Sequence, residues 1–327
     1  MARGRRAVLG AMAGAPLAAR AASLPVMPVA ITMGTGQPGG GFSVYGQAWG
    51  QLAQKAARIS VSYRASGGSA ANILLVEQHA AQLGLAMLAV AEQAWMGQGA
   101  WTSGVKLQGF RALFPVFGAS LQIFAPARSG LRRLRDLDGK RIGVGPAGGA
   151  GAVLAAAALT AAGVRPQLAI DGLYHEQIEL LQKGRIDACA FFGVTPLPAV
   201  RAAAASGGYN LIGFERGEIA AARRALPGIG PTVIGRDALP HLSAAVATIG
   251  SEAIAIGAAN LPEGLAHAVT RAALIHRAAL LRTLPGSGPA RLDAGWIDRS
   301  SPVPFHPGAA AALREAGLAV PDALVRG

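Results

Sequence analysis

With a single cysteine among 327 residues, Cys189, no internal disulfide can form, and no Cys/His cluster at metal-ligand spacing accompanies it. Charge is also scarce: 14% of residues are charged and 52% hydrophobic, so the chain has apolar surface to bury and little self-repulsion, which excludes a disordered polyampholyte. Lysine contributes only four of the thirty basic residues, and many arginines are scattered singly between alanines. That pattern reads as compositional bias, and no nucleic-acid partner is expected. The 45 glycines carry no G-X-Y period, which excludes collagen. Beyond residue 22, no apolar stretch reaches about 18 residues without Gly, Pro or a charge, so no membrane span is expected in the mature chain. The length suits one large or two medium α/β domains.

What is present begins with an export signal. Arg3, Arg5 and Arg6 precede the apolar stretch Ala7 to Ala19, and Ala19-Arg20-Ala21 makes a small-x-small cleavage site, so residues 1–22 read as a signal peptide. Arg5-Arg6 followed by Ala7-Val8-Leu9 also fits a twin-arginine signal. Removing the segment takes Arg3, Arg5, Arg6 and Arg20 and no acid, lowering the formal charge from +13 to +9.

The rest alternates strand and helix patterns. Val29 to Met33, Ile59 to Tyr63 and Leu83 to Met87 read as strands, with helices at Ser43 to Ala57 and Ala70 to Gln78 between them. The pattern restarts with strands at Ser120 to Ala125, Arg141 to Gly145, Leu168 to Asp171 and Ile186 to Phe192, a helical turn at Leu134 to Leu137, and helices at Gly151 to Ala162 and Glu176 to Lys183. A third apolar run, Ala253 to Ala258, precedes a long helix, Glu263 to Leu284. This β-α-β order predicts an α/β fold of two lobes, each a mostly parallel sheet flanked by helices. The expected division is 23–119 with 256–327 as a discontinuous first lobe, and 120–255 as the second.

Gly34-Thr35-Gly36-Gln37-Pro38-Gly39 and Gly143-Val144-Gly145-Pro146-Ala147-Gly148 each follow a strand and open a helix, and Gly67-Gly68-Ser69 makes a third such loop. Glycines allow tight turns, and the backbone N–H groups of a helix N-terminus carry about half a unit of positive charge, which attracts an anion. A carboxylate serves as well as a phosphate. In parallel sheets such loops lie at the carboxyl ends of strands, so loops from two lobes face one crevice. A dinucleotide fits the same loops, with Arg64 near a 2′-phosphate and Asp171 near a ribose, which keeps a secreted NAD(P)-dependent oxidoreductase as an alternative. No catalytic constellation accompanies the loops: the six histidines are scattered, Ser69 lacks a Gly-x-Ser-x-Gly context, and Cys189 sits inside an apolar strand.

At these loops the sequence resembles the TAXI family, the extracytoplasmic solute-binding subunits of one class of tripartite ATP-independent periplasmic (TRAP) transporters. The resemblance rests on Gly34-Thr35-Gly36 with Gly39-Gly40, and on Ser66-Gly67-Gly68-Ser69-Ala70-Ala71-Asn72. Further along it rests on Asp136 to Gly145, Lys183 to Ala188, Pro304 to Ala309 and Glu315-Ala316-Gly317. It implies a type II periplasmic-binding-protein fold holding a small carboxylate or amino-acid-like solute, and no covalent chemistry. It also implies periplasmic location, no cofactor, a monomer, and TRAP membrane subunits as partners; a sensory receptor with the same lobes is the further alternative. Carried over by position, Gly34, Thr35, Gly36, Gly40, Ser69 and Asn72 line the crevice from the first lobe, and Gly145, Gly148, Gly149 and Gly193 from the second. Phe42-Ser43 stands where the family usually has two tyrosines, Ala150-Gly151 where it has serine and threonine, and Met87-Leu88-Ala89 where polar residues are usual. Each lost donor removes about 0.5–1.5 kcal/mol of hydrogen bonding, so a less polar ligand, a water-filled site or weaker binding is expected.

Overall fold

The computed structural model describes residues 28–169, 172–205, 208–240, 242–284 and 301–325; the expected signal peptide, Asp171, His241 and residues 285–300 lie outside these. The chain opens with β1 (Ala30–Gly34), α1 (Gly41–Ala57), β2 (Ser60–Arg64), α2 (Ser69–Glu77), β3 (Leu83–Met87) and α3 (Leu88–Met96). The long strand β4 (Phe110–Pro126) leads to β5 (Arg141–Gly143), α4 (Ala150–Ala161), β6 (Gln167–Ala169), α5 (Tyr174–Gln182) and β7 (Ala188–Val194). Next come α6 (Pro198–Ala205), β8 (Tyr209–Ile212), α7 (Arg216–Ala225), β9 (Gly230–Ile234) and the second long strand, β10 (Val246–Ala258). The chain then finishes in α8 (Glu263–Ile275), α9 (Arg277–Arg282) and α10 (Pro307–Glu315). No described helix is long and apolar enough to cross a membrane.

The ten strands among the described residues form one sheet of order β2-β1-β3-β10-β4-β7-β5-β6, with β8 on β4 and β9 on β10. Pairing is parallel within β2-β1-β3 and within β7-β5-β6, as helical crossovers require, and antiparallel through β4 and β10. These two strands join the two parallel ends. β4 pairs with β10 from Phe110 to Ser120 and with β7 from Ala119 to Phe124. β10 pairs with β9 from Val246 to Gly250 and with β3 from Ala253 to Gly257. Every residue of β3 is buried, as its unbroken apolar run requires of a strand covered on both faces.

Both long strands begin well before the apolar runs read from sequence. Pro115 and Gly118 interrupt the pattern of β4; the structure accommodates them where the register against β10 shifts, between the Gly118–Glu252 and Pro115–Ile254 pairs. The helix expected at 263–284 divides at His276 into α8 and α9. The C-terminal helices cover the β1–β3 end: Trp49 of α1 donates from Nε1 to Val269 O of α8 at 3.2 Å and meets Phe114 edge-on at 5.0 Å.

His306 ties the last segment down. Its Nε2 bonds to Leu261 O at 2.8 Å, and its Nδ1 accepts from Gly308 N at 3.2 Å as the N-cap of α10. Only a neutral imidazole can do both, and burial holds its pKa below the usual histidine value, opposed by the bond to Leu261 and by Glu263 and reinforced by Arg111. The unfolded chain therefore takes up a proton near pH 6.5 that the folded chain refuses, and stability falls as pH drops below that value, by about 1.4 kcal/mol per unit of depression. Urea midpoints measured from pH 7 to 5 are expected to fall for the wild type and to fall less for His306→Asn, whose amide keeps the cap without titrating.

Candidate ligand-binding cavity

The loops after β1, β2, β3 and β7 and the starts of α4 and α5 surround a small cavity beside the middle of β4. The β1–β3 end supplies Gly36, Gln37, Gly40, Gly41, Phe42, Gly67, Gly68, Ser69 and Met87, the crossing strand supplies Phe117, and the β5–β7 end supplies Ala150, Tyr174, Phe192, Gly193, Val194 and Leu197. Four helices present their N-termini here: α1, α2, α3 and α4, capped by Gly40, Gly68, Met87 and Gly149. None of these caps makes a side-chain hydrogen bond, and none of the four first turns holds an acid. Their summed dipoles make the cavity electropositive although no lining side chain is charged. Phe42 and Phe117 form one wall, with ring centroids 5.9 Å apart.

Tyr174 closes the opposite wall. Its ring meets Phe191 edge-on at 4.9 Å and lies against the Cα positions of Gly40 and Gly145. Burial pushes its hydroxyl up to about 12, so it stays protonated and available as a donor. The 193–197 turn that shapes the floor is braced by buried Gln122, which donates to Val194 O at 2.9 Å and accepts from Leu197 N at 3.0 Å.

The two ends of the sheet touch across this cavity through backbone. Gly148 O accepts from Ala70 N at 2.9 Å and Ala71 N at 3.2 Å, and Ala199 N donates to Gly39 O at 3.2 Å. Gly67 lies directly against the Ala147 carbonyl, and a Cβ there would be driven into that oxygen. Its neighbour Gly68, at φ +126°, holds a backbone conformation that side-chain-bearing residues rarely adopt.

Of the residues expected at the crevice, Gly36, Gly40, Phe42, Ser69, Met87 and Gly193 line the cavity. The others stand behind it. Thr35 donates through N and Oγ1 to Arg64 O, at 3.0 and 3.3 Å. Asn72 is fully buried: Nδ2 donates to Thr35 O at 2.7 Å and Leu85 O at 2.8 Å, while Oδ1 accepts from Ser66 Oγ at 2.7 Å. Its carboxamide fills the space beside Gly34. Ser43 donates to Gly40 O at 2.8 Å. Gly145 is gripped by Gln177, which accepts from its N–H at 2.9 Å and donates to its carbonyl at 3.1 Å. Gly148 and Gly149 form the seam with the β2–α2 loop. Ser69 does not cap α2; its Oγ accepts from Met87 N at 3.0 Å, leaving its proton for the cavity.

Phe117, Tyr174, Gln37 and Leu197 are lining residues that the sequence reading missed. Only Tyr174 carried a local signal, a phenol opening a helix directly after a strand. Cys189 is buried in β7 and its thiol is pushed up by burial, which makes it inert. Among the described residues no three His, Cys, Asp or Glu side chains come together so as to hold a metal ion.

A family model described as the NMT1-like family matches residues 33–317. Among solved structures, the periplasmic binding protein BugD aligns with a TM-score of 0.52 at 12% identity, over 80% of this chain and 86% of that one. A periplasmic transporter aligns at 0.52 and 14%, over 82% and 90%. A protein from Bordetella bronchiseptica RB50 aligns at 0.50 and 14%, over 79% and 76%. At such identities the likeness is one of fold: a mixed α/β sheet with flanking helices, as in type II periplasmic binding proteins.

Proposed function

The chain belongs to the NMT1-like family, and from that premise we propose that it is an exported solute-binding protein that captures a small organic anion and delivers it to the membrane subunits of a TAXI-type TRAP transporter. One observation carries the reading: the starts of α1, α2, α3 and α4 gather with Tyr174 around a cavity that no charged side chain enters, although Gly148 O already takes Ala70 N and Ala71 N of α2 and Ser251 Oγ takes Ala89 N of α3. The remaining N–H groups at these helix starts suit an anion that is held and released unchanged.

The lobes are residues 23–119 with 256–327 and residues 120–255, hinged in β4 and β10. A ligand reaches donors of both lobes only when they approach, so binding shifts the population toward the closed form. Export follows from residues 1–22, and the protein works in the periplasm as a monomer without a cofactor. A dinucleotide is disfavoured because its pyrophosphate would need the 143–148 loop, where Gln177 holds both polar groups of Gly145 and α2 takes the Gly148 carbonyl.

Thermal-shift measurements with small carboxylates test the reading, because a ligand stabilises by the logarithm of its excess over Kd. Carboxylates are expected to raise the melting temperature; a shift with NAD(P) and none with any acid overturns the proposal. Tyr174→Phe is expected to weaken carboxylate binding by about tenfold or more, since a hydrogen bond to a charged group contributes about 1.5–3 kcal/mol. Its unliganded melting temperature should stay at the wild-type value, and calorimetric titration reads the difference.

A further inference from the structure

We propose that the cavity selects a monocarboxylate with an uncharged apolar body, such as phenylacetate or isovalerate, and rejects α-amino acids and dicarboxylates. This rests on the anion-binding reading above and narrows it to a substrate class.

The argument is one of charge. A carboxylate at the convergent helix N-termini satisfies their dipoles. In a zwitterionic amino acid the ammonium sits one carbon away from that carboxylate, in the same electropositive field, and no Asp or Glu lines the cavity to neutralise it. An unpaired buried charge is strongly unfavourable. A second carboxylate fares no better, because the remaining surface is Phe42, Phe117, Phe192, Met87, Val194 and Leu197, with no Arg, Lys or His. Side-chain polarity is limited to Gln37, Ser69 and Tyr174, enough to complete the hydration of one carboxylate. The apolar, aromatic walls favour a flat or branched hydrocarbon body.

The test is calorimetric titration of the full mature wild-type protein with phenylacetate, isovalerate, L-phenylalanine, succinate and the neutral analogue phenylacetamide. Phenylacetate or isovalerate is expected to bind at least about 30-fold more tightly than L-phenylalanine and succinate, a gap of about 2 kcal/mol, and phenylacetamide is expected not to bind. If L-phenylalanine or succinate binds within that ratio of the best apolar acid, or more tightly, the class is wrong while the anion reading stands. Phenylacetamide matching phenylacetate overturns the anion reading itself, and an absence of binding by every acid at millimolar concentration overturns both.

Discussion

Replacing Gly67 with alanine is expected to lower ligand affinity by about 100-fold or more, equivalent to about 2.7 kcal/mol, while the unliganded protein melts at its wild-type temperature. All three atoms nearest the new methyl belong to Ala147 and Gly148 across the cavity, and the first is the Ala147 carbonyl oxygen. Gly67 does not hold a left-handed backbone conformation, so alanine fits the local chain. The substitution therefore opposes the approach of the two sheet ends and leaves the β1–β3 end intact. A protein confined to its open form keeps only the contacts of one lobe, and a ligand shifts a conformational equilibrium only by its differential affinity for the two states. Small-angle scattering distinguishes the outcomes: the wild type should contract when saturated with ligand, and Gly67→Ala should not. Wild-type affinity in Gly67→Ala would show that the contact at 67 and 147 is incidental to binding.

Asn72→Ala should act on stability. The wild-type side chain is fully buried and serves Thr35 O, Leu85 O and Ser66 Oγ at 2.7–2.8 Å, tying the β1, β2 and β3 loop ends together. Deleting it removes three buried hydrogen bonds, at about 0.5–1.5 kcal/mol each, and leaves a cavity. A loss of about 3 kcal/mol or more is expected, lowering the melting temperature by roughly 6 °C or more. Asn72→Asp should be as damaging, because a carboxylate cannot donate to two carbonyls. A variant that melts normally but binds poorly would instead make Asn72 a ligand contact, as its position in the glycine-loop motif had suggested.

The strand and helix order of the two parallel ends was legible because each run carries its own period and punctuation: β3 falls at 83–87 as read, and β1, α1, β2 and α2 differ by one or two residues at their ends. The crossing strands were legible only in part. Pro115, Gly118 and Gly250 look like breaks along the chain, and only the partner strand shows that they lie at a bulge and at a change of neighbour. The short elements α3, α6, α7, β8 and β9 were not read from the sequence.

The cavity divides in the same way. Glycine loops at strand ends announced helix N-termini, a local property. Which donors were free was not local. Asn72 and Gln177 sit beside the loops in sequence or space and satisfy backbone groups there, whereas Tyr174 and Phe117 reach the cavity from elements far along the chain. Nor does any residue type reveal that Gly67 will face Ala147, a contact between opposite ends of the sheet.

The most direct measurement is a crystal structure of the wild-type protein grown with a bound monocarboxylate. Ligand density is expected between the two lobes, with the carboxylate oxygens within hydrogen-bonding distance of backbone N–H groups at the starts of at least two of α1 to α4 and of the Tyr174 hydroxyl, and the hydrocarbon body against Phe42 and Phe117. A carboxylate that points to solvent, or a ligand seated away from these helix starts, would contradict the account.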